Sequence, residues 1–198
     1  MIQITSHEML EILNVPATQV DSHNDSEYIW GDTSNQSKIN FISSLVKTRF
    51  HNKSILEFGT YRGSTTDKIA SYLSSGRVCT VDCGYDELER LLQEESKEHN
   101  NKIKYSFYEV GEIYKKNNRV NVDQIIGNTN NKPIIDQIIN NGPYDLIYID
   151  AAHTYKGVKN DTDISFSCIS QGGIIIWDDY NSHWTGVNNF LNDLSEQR

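Results

Sequence analysis

The stretch "SILEFGTYRGST", Ser54 to Thr65, decides the fold class of this chain. It begins with a short apolar run typical of a buried strand, and Gly59 and Gly63 then mark a turn into a helical pattern. The side chains spaced for one helix face are Thr66, Ile69, Ala70 and Leu73. A strand, a turn and a helix in this order predict the first unit of a parallel sheet wound with helices.

Four further strand-like runs follow, and helical patterns separate them. The runs are "RVCTVD" ending at Asp82, "VNVDQIIG" ending at Gly127, "YDLIYID" ending at Asp150, and "GGIIIWDDY", whose strand ends at Asp178. This alternation predicts an α/β fold, a doubly wound Rossmann-like parallel sheet in a three-layer sandwich. We expect the pair Gly172–Gly173 to close the helix before the last strand.

The chain of 198 residues is long enough for one domain. We expect residues 1–36 to form an N-terminal arm or lid and residues 37–198 to form the functional domain. The interval from Asp82 to Gly127 is longer than one crossover helix requires. Tyr85, Leu88, Leu91 and Leu92 predict a polar helix at its start, and we expect a further helix near Tyr105 to Lys115. The extra segment from Tyr85 to Asn101 could form a substrate loop or lid.

Composition argues against several classes of partner. Lys and Arg number 18 against 27 Asp and Glu, a net charge of -9, which disfavours nucleic acid. The longest strongly apolar run, "IIIW", is far shorter than the ~20 residues of a membrane span. The N-terminus lacks the pattern of a secretory signal, and the three cysteines include no CxxC pair. These features predict a cytoplasmic protein without a disulfide scaffold or zinc site.

The end of the first strand has features of a ligand-binding turn. Gly59 would let the main chain approach a ligand, and the following helix N-terminus would face an anion. The spacing of Glu57, Gly59 and Gly63 differs from the dinucleotide fingerprint, and an ordinary tight turn is the alternative. Asp82 favours a ligand, because it follows Gly59 by 23 residues, close to the ~20 at which an acid reaches ribose hydroxyls.

Carboxylates also end the last two strands. Asp150 should lie beside Asp178 and Asp179, because consecutive strands of this kind are usually neighbours. Three close carboxylates repel one another unless a proton or a hard cation such as Mg²⁺ neutralises them. The alternative is that these acids only cap the following helices. His153 stands three positions beyond Asp150, and a surface-loop histidine is the alternative to a catalytic role.

From about Ser37 to the C-terminus, these motifs resemble class I S-adenosylmethionine-dependent methyltransferases. The resemblance is closest to the branch of catechol-type and metal-dependent macrolide-sugar O-methyltransferases, whose small relatives show comparable "D-x-x-H-x-Y" and "GG…DDY" motifs. Residues 37–198 would then form the cofactor-binding methyltransferase domain. The resemblance implies cofactor contacts at Glu57, Gly59, Thr60, Gly63, Asp82, Gly127, Asn128 and Asp150, with the first four at the methionine end, Asp82 at the ribose and "GNT" at the adenine.

The same resemblance implies a divalent metal, expected to be Mg²⁺, held by Asp150, Asp178 and Asp179. It implies that His153 is the catalytic base, with Asp150 beside it. The predicted reaction moves a methyl group from S-adenosylmethionine to a hydroxyl of a small sugar-like or catechol-like acceptor. The motif after the fourth strand is "DAAH", unlike that of nucleic-acid amino-methyltransferases, so we expect a small-molecule partner and leave a homo-oligomer open.

The chain departs from the family pattern after its last helix. The usual fold has two further strands there, and no sequence remains for them, so we expect a sheet without them. A truncated chain, a partner that covers the edge and a smaller sheet are the open explanations. Two other functions compete with methyl transfer: a metal-dependent hydrolase that uses a metal-bound water, and a non-catalytic module with the same cofactor cleft.

Overall fold

The structure, a computed structural model, describes residues 41–98, 108–180 and 183–196. Its strands are β1 (Ser54–Phe58), β2 (Arg77–Asp82), β3 (Val122–Ile126), β4 (Tyr144–Ile149) and β5 (Ile169–Trp177). Its helices are α1 (Ser64–Tyr72), α2 (Tyr85–Glu98), α3 (Glu112–Lys116), α4 (Lys132–Asn141), α5 (Tyr155–Cys168) and α6 (Thr185–Glu196). Residues 41–45 are helical and continue into a π-helical turn, Val46–Phe50. The predicted arm, residues 1–36, and the start of the helix predicted near Tyr105 lie outside the described residues.

The five strands form one parallel sheet in the order β3-β2-β1-β4-β5. Phe58 at the end of β1 pairs with Val81 on one side and Ile149 on the other, and Ile149 pairs with Trp177. The carboxyl ends of these strands are therefore level. The order reverses direction at β1, which is the switch point where open α/β sheets bind ligands. The predicted doubly wound fold is confirmed.

Helices cover both faces of the sheet, as the three-layer prediction requires. Side chains alternate along β4, so Leu146 and Tyr148 pack on one face while Ile147 and Ile149 pack on the other. The first face is covered by residues 41–50 and α1, and the second by α4 and α5. Near-continuous apolar strands of this kind are typical of a sheet buried on both sides.

The prediction for the Gly172–Gly173 pair is wrong. α5 ends at Cys168 and β5 begins at Ile169, so both glycines lie within the strand. The pairing with β4 shifts register between Tyr144 and Leu146, and Gly172 has φ +77°. The glycines therefore allow a bulge at the start of β5, where a side chain would be strained at this φ.

The long interval between β2 and β3 contains two helices among the described residues. Tyr85–Glu98 forms a 14-residue helix, as its helical pattern predicts, while the helix predicted to end near Lys115 has its described part from Glu112 to Lys116. Gly111, with φ +75°, precedes α3 and donates its main-chain N–H to the carbonyl of Tyr61 at 2.9 Å. The end of this segment therefore docks on the turn after β1. Among the described helices, the length and apolarity needed to cross a bilayer are not found.

Candidate cofactor and metal site

The turn after β1 is packed against the loop after β4. Gly59 has φ +93°, and a Cβ at this position would lie 1.8 Å from the main-chain oxygen of Asp150. A Cβ on Gly63, with φ +83°, would lie 2.7 Å from the Tyr114 ring. Both glycines are thus required by close packing within the protein. The structure places the main chain of Asp150 against Gly59, and the contact of Gly59 with a ligand stays a prediction.

Glu57 lies beneath this turn in a buried hydroxyl network. Its carboxylate accepts hydrogen bonds from Thr66 and from Thr80, the latter at 2.6 Å, and only 1% of the residue is exposed. The Thr80 hydroxyl lies 2.7 Å from that of Thr60 and already donates to Glu57, so Thr60 donates to Thr80. Burial raises the pKa of Glu57 to about 7, and the nearby Asp150 and Asp82 add to the rise. Hydrogen bonds through Thr80 therefore connect Glu57 to Thr60 and stabilise the turn.

Asp82 joins the turns that follow β1 and β2. One carboxylate oxygen accepts the main-chain N–H of Tyr61 at 2.8 Å, and the other accepts that of Gly84 at 3.0 Å. Burial raises the pKa of Asp82, and these main-chain donors oppose the rise. The structure therefore brings Asp82 to the turn that contains Gly59 and Gly63, as the predicted ribose site requires.

The loop after β3 is the predicted adenine site. Gly127 donates its N–H to the carbonyl of Asp82 at 2.8 Å. Asn128 is 6% exposed, and its amide donates to Glu87 on α2 at 2.8 Å while its oxygen accepts the N–H of Asn130. The loop therefore lies beside the end of β2, and its polar side chains are held by neighbouring residues.

Tyr148 connects two of the predicted metal ligands, Asp150 and Asp178. The buried Tyr148 hydroxyl lies 3.1 Å from an Asp150 oxygen and 2.9 Å from an Asp178 oxygen. Burial, and then the charge of Asp150, raise the pKa of Tyr148 well above its usual value, so the hydroxyl stays a neutral donor. Because a hydroxyl has one proton, Tyr148 holds these two carboxylates close together while it donates to one at a time.

Asp179 contacts His153 beside these carboxylates. The Nε2 atom of His153 is 2.8 Å from an Asp179 oxygen, and its ring stacks on Trp184 with centroids 3.9 Å apart. Ligand atoms of Asp150, His153 and Asp179 all lie within 4.8 Å of one another. These side chains and Asp178 line the same cavity. The structure thus brings all four predicted residues together, with His153 among the candidate metal ligands.

Comparison with known proteins identifies the family. Residues 56–180, which run from within β1 to just beyond β5 and include every predicted site residue, match the profile of a family described as "Methyltransferase domain". The chain belongs to this family. A stretch of 145 residues is 27% identical to an uncharacterized protein of Acanthamoeba polyphaga mimivirus. The match covers 70% of this chain and 59% of the mimivirus protein, so the chain spans about three fifths of that curated relative.

Solved structures with a similar fold include two O-methyltransferases. The Bacillus cereus O-methyltransferase, in complex with SAH, has a TM-score of 0.56 and 19% identity over 96% of this chain and 77% of its own. A TDP-rhamnose 3′-O-methyltransferase of calicheamicin biosynthesis has a TM-score of 0.55 and 13% identity over 96% and 83%. At such identities the likeness shows that the methyltransferase domain has their fold.

Sequence reasoning missed three residues of this methyltransferase domain that contact the site. Tyr148 precedes Asp150 by two positions, and strand alternation places both on one face of the sheet, so this signal was available. Trp184 lies directly before α6 and showed no pattern of its own. Asp161, buried on α5, bonds to Thr129 of the predicted adenine loop, and nothing in the local sequence connects them.

Proposed function

We propose that this domain transfers a methyl group from S-adenosylmethionine to a hydroxyl oxygen of a small acceptor, with a divalent metal ion at Asp150. One observation carries the proposal most strongly. Carboxylate oxygens of Asp150 and Asp179 lie within 4.8 Å of each other and of a ring nitrogen of His153, and the main chain of Asp150 contacts Gly59 in the turn after β1. A metal there would be adjacent to the cofactor turn of the family.

The residues at the ends of β1 and β2 fit the cofactor. Each of the two carboxylate oxygens of Asp82 accepts one main-chain N–H. Because a carboxylate offers about four lone-pair sites, acceptor sites remain for ribose hydroxyls. Gly59, Thr60 and Gly63 shape the adjacent turn, and Asn128 and Gly127 lie beyond Asp82 at the predicted adenine end. In this proposal Glu57 contributes to cofactor binding by stabilising the turn after β1.

The donor set at β4 and β5 fits a divalent cation. Carboxylate oxygens suit Mg²⁺ and Mn²⁺, whereas an imidazole nitrogen also suits Zn²⁺ and Fe²⁺. We assign Asp150, Asp178 and Asp179 to Mg²⁺ and keep His153 as the base. Binding of the ion would require the Tyr148 hydroxyl to share its two carboxylates with the metal. When bound, such an ion lowers the pKa of an acceptor hydroxyl and fixes its position.

His153 is oriented for proton transfer by two neighbours. Asp179 accepts the Nε2 proton in the tautomer that leaves the lone pair on Nδ1, and the Trp184 ring fixes the plane of the imidazole. A base held by a carboxylate in this way recurs where a hydroxyl must lose its proton. The rate should therefore rise with pH as the imidazole loses its proton.

The acceptor is proposed to be a sugar-like or catechol-like diol. Structures with this fold include an enzyme named for methylation of TDP-rhamnose, and one named as a putative caffeoyl-CoA O-methyltransferase from Staphylococcus aureus. Adjacent hydroxyls could approach a single ion together, which suits both acceptor classes. A hydrolase would use the same acids, but Asp82 and the loop after β3 would then have no ligand to bind.

The test is calorimetry with S-adenosylhomocysteine in the presence and absence of Mg²⁺, followed by methyl-transfer assays on nucleotide sugars and catechols. We expect cofactor binding by the wild type and turnover that chelation removes. Asp150→Asn should lose turnover, whereas Asp145→Asn, at the opposite end of β4, should keep it. Absence of cofactor binding would favour the hydrolase, and binding without turnover on either acceptor class would favour a non-catalytic module.

A further inference from the structure

The loop after β3 is fastened to α5 by two consecutive residues. The Thr129 hydroxyl donates to an Asp161 oxygen at 2.7 Å. The Asn160 amide donates to the main-chain oxygen of Thr129 at 3.1 Å, and its nitrogen lies 3.2 Å from the Thr129 hydroxyl. Both the side chain and the main chain of Thr129 are thus held by one turn of α5.

Asp161 is an unusual residue for that turn. It is 2% exposed, and burial raises its pKa to about 6, while Thr129 and then Asn160 oppose the rise. Burying a carboxylate is unfavourable unless its hydrogen bonds compensate. Two other polar side chains buried on α5, Thr162 and Ser165, donate to carbonyls of their own helix. The Asp161 carboxylate instead bonds outside its helix, to Thr129 in the loop after β3.

The other end of the same loop is also held. Gly127 bonds to the main chain of Asp82, and Asn128 bonds to Glu87 on α2. The loop is therefore clamped between α2 and α5, with the end of β2 beside it. A loop fixed in its binding shape before the ligand arrives loses less conformational entropy on binding, which increases affinity.

We propose that Asp161 is a positioning residue that holds the loop Gly127–Asn130 in the shape that receives the nucleoside end of the cofactor. This inference rests on the proposed function, because it needs a nucleoside at that loop. Asp161 acts through Thr129 and does not touch the ligand itself. Asn160 supports the same loop through the main chain of Thr129.

The test compares three variants by calorimetry with S-adenosylhomocysteine and with adenosine. Asp161→Ala removes the acceptor of the Thr129 hydroxyl, and we expect the Kd of both probes to rise about five- to tenfold, the effect of one buried hydrogen bond. Asp161→Asn keeps an acceptor oxygen and should retain most of the affinity. Ser165→Ala is the control, since its buried hydroxyl bonds to a carbonyl of the same helix, at Asp161, and lies outside the loop.

The outcomes separate the two proposals. Ser165→Ala should lower the midpoint of urea unfolding without changing either Kd, whereas Asp161→Ala should change both Kd values. If Asp161→Ala does not fold, Thr129→Val removes the same hydrogen bond from the loop side and should raise Kd similarly. Wild-type affinity in Asp161→Ala, or in Thr129→Val, overturns the role of Asp161 alone. A wild-type protein that binds neither probe overturns the proposed function together with this inference.

Discussion

Glu57 makes the stability of the domain depend on pH in a predictable direction. Its pKa in the folded protein is raised to about 7, against 4.5 for the unperturbed group. Between these two values the folded state holds a proton that the unfolded state has released. The stability that protonated Glu57 contributes to the folded state is therefore fully present below pH 4.5, and it is lost as pH rises through about 7.

The expected size follows from the same two pKa values. At about 1.36 kcal/mol per pH unit, the difference corresponds to about 3 kcal/mol of unfolding free energy for this fully buried group. Glu57→Gln removes the charge but keeps an oxygen that can accept from Thr66 and Thr80. As pH rises from 5 to 8, we therefore expect the unfolding free energy of the variant to increase by about 2 to 3 kcal/mol relative to that of the wild type.

The assay is urea unfolding followed by circular dichroism at half-unit steps of pH. Comparing variant with wild type cancels the contributions of other buried acids, such as Asp161, that titrate in both proteins. Glu89→Gln, at an exposed position on α2, is the matched control and should leave the pH dependence unchanged. A difference between Glu57→Gln and wild type that stays constant from pH 5 to pH 8 would refute the reasoning.

Three further predictions concern the turn and the base. Asp82→Ala should weaken S-adenosylhomocysteine binding by about 2 to 4 kcal/mol, measured by calorimetry, because each hydrogen bond to a charged group contributes ~1.5 to 3 kcal/mol with imperfect additivity. Unchanged affinity would remove Asp82 from the ribose site. His153→Ala should lower the rate of methyl transfer by ~10² to 10⁴ with cofactor affinity kept, and a wild-type rate and pH profile would return this residue to an ordinary surface loop. Gly59→Ala should lower the unfolding free energy by more than about 2 kcal/mol, because its φ is +93° and a Cβ would meet the Asp150 carbonyl; wild-type stability in urea would contradict this.

Much of the fold could be predicted because strands buried on both faces appear in the sequence as apolar runs. The acids that end those runs were placed at one edge by the parallel topology alone. The Gly172–Gly173 pair was misassigned because paired glycines suit both the end of a helix and a bulge. Only the pairing register with β4 distinguishes these, and register is a tertiary property.

The finer arrangement of the site depended on contacts between distant segments. The family resemblance places Glu57 at the methionine end of the cofactor, and this role stays a prediction. Its partners Thr66 and Thr80, which are 9 and 23 residues away, could not be inferred from the sequence around Glu57. The pair Asp178 and Asp179 was treated as one unit. Continued alternation after β5 instead sends Asp178 toward Tyr148, and the positive φ of Asp179, 58°, helps direct its carboxylate toward His153.

The contact between Gly59 and Asp150 links the two halves of the proposed site. A Cβ on Gly59 would lie 1.8 Å from the Asp150 carbonyl oxygen, so the turn after β1 and the loop after β4 are in close main-chain contact. The main-chain N–H of Asp150 also donates to the carbonyl of Phe58, next to Gly59, at 2.9 Å. Methyl transfer needs the acceptor oxygen in line with the methyl–sulfur bond, and an error of about 1 Å can reduce the rate a hundredfold. Close main-chain packing would keep the turn proposed for the methionine end and the acid proposed for the metal at a fixed distance. That distance would preserve the alignment, whichever acceptor the domain binds.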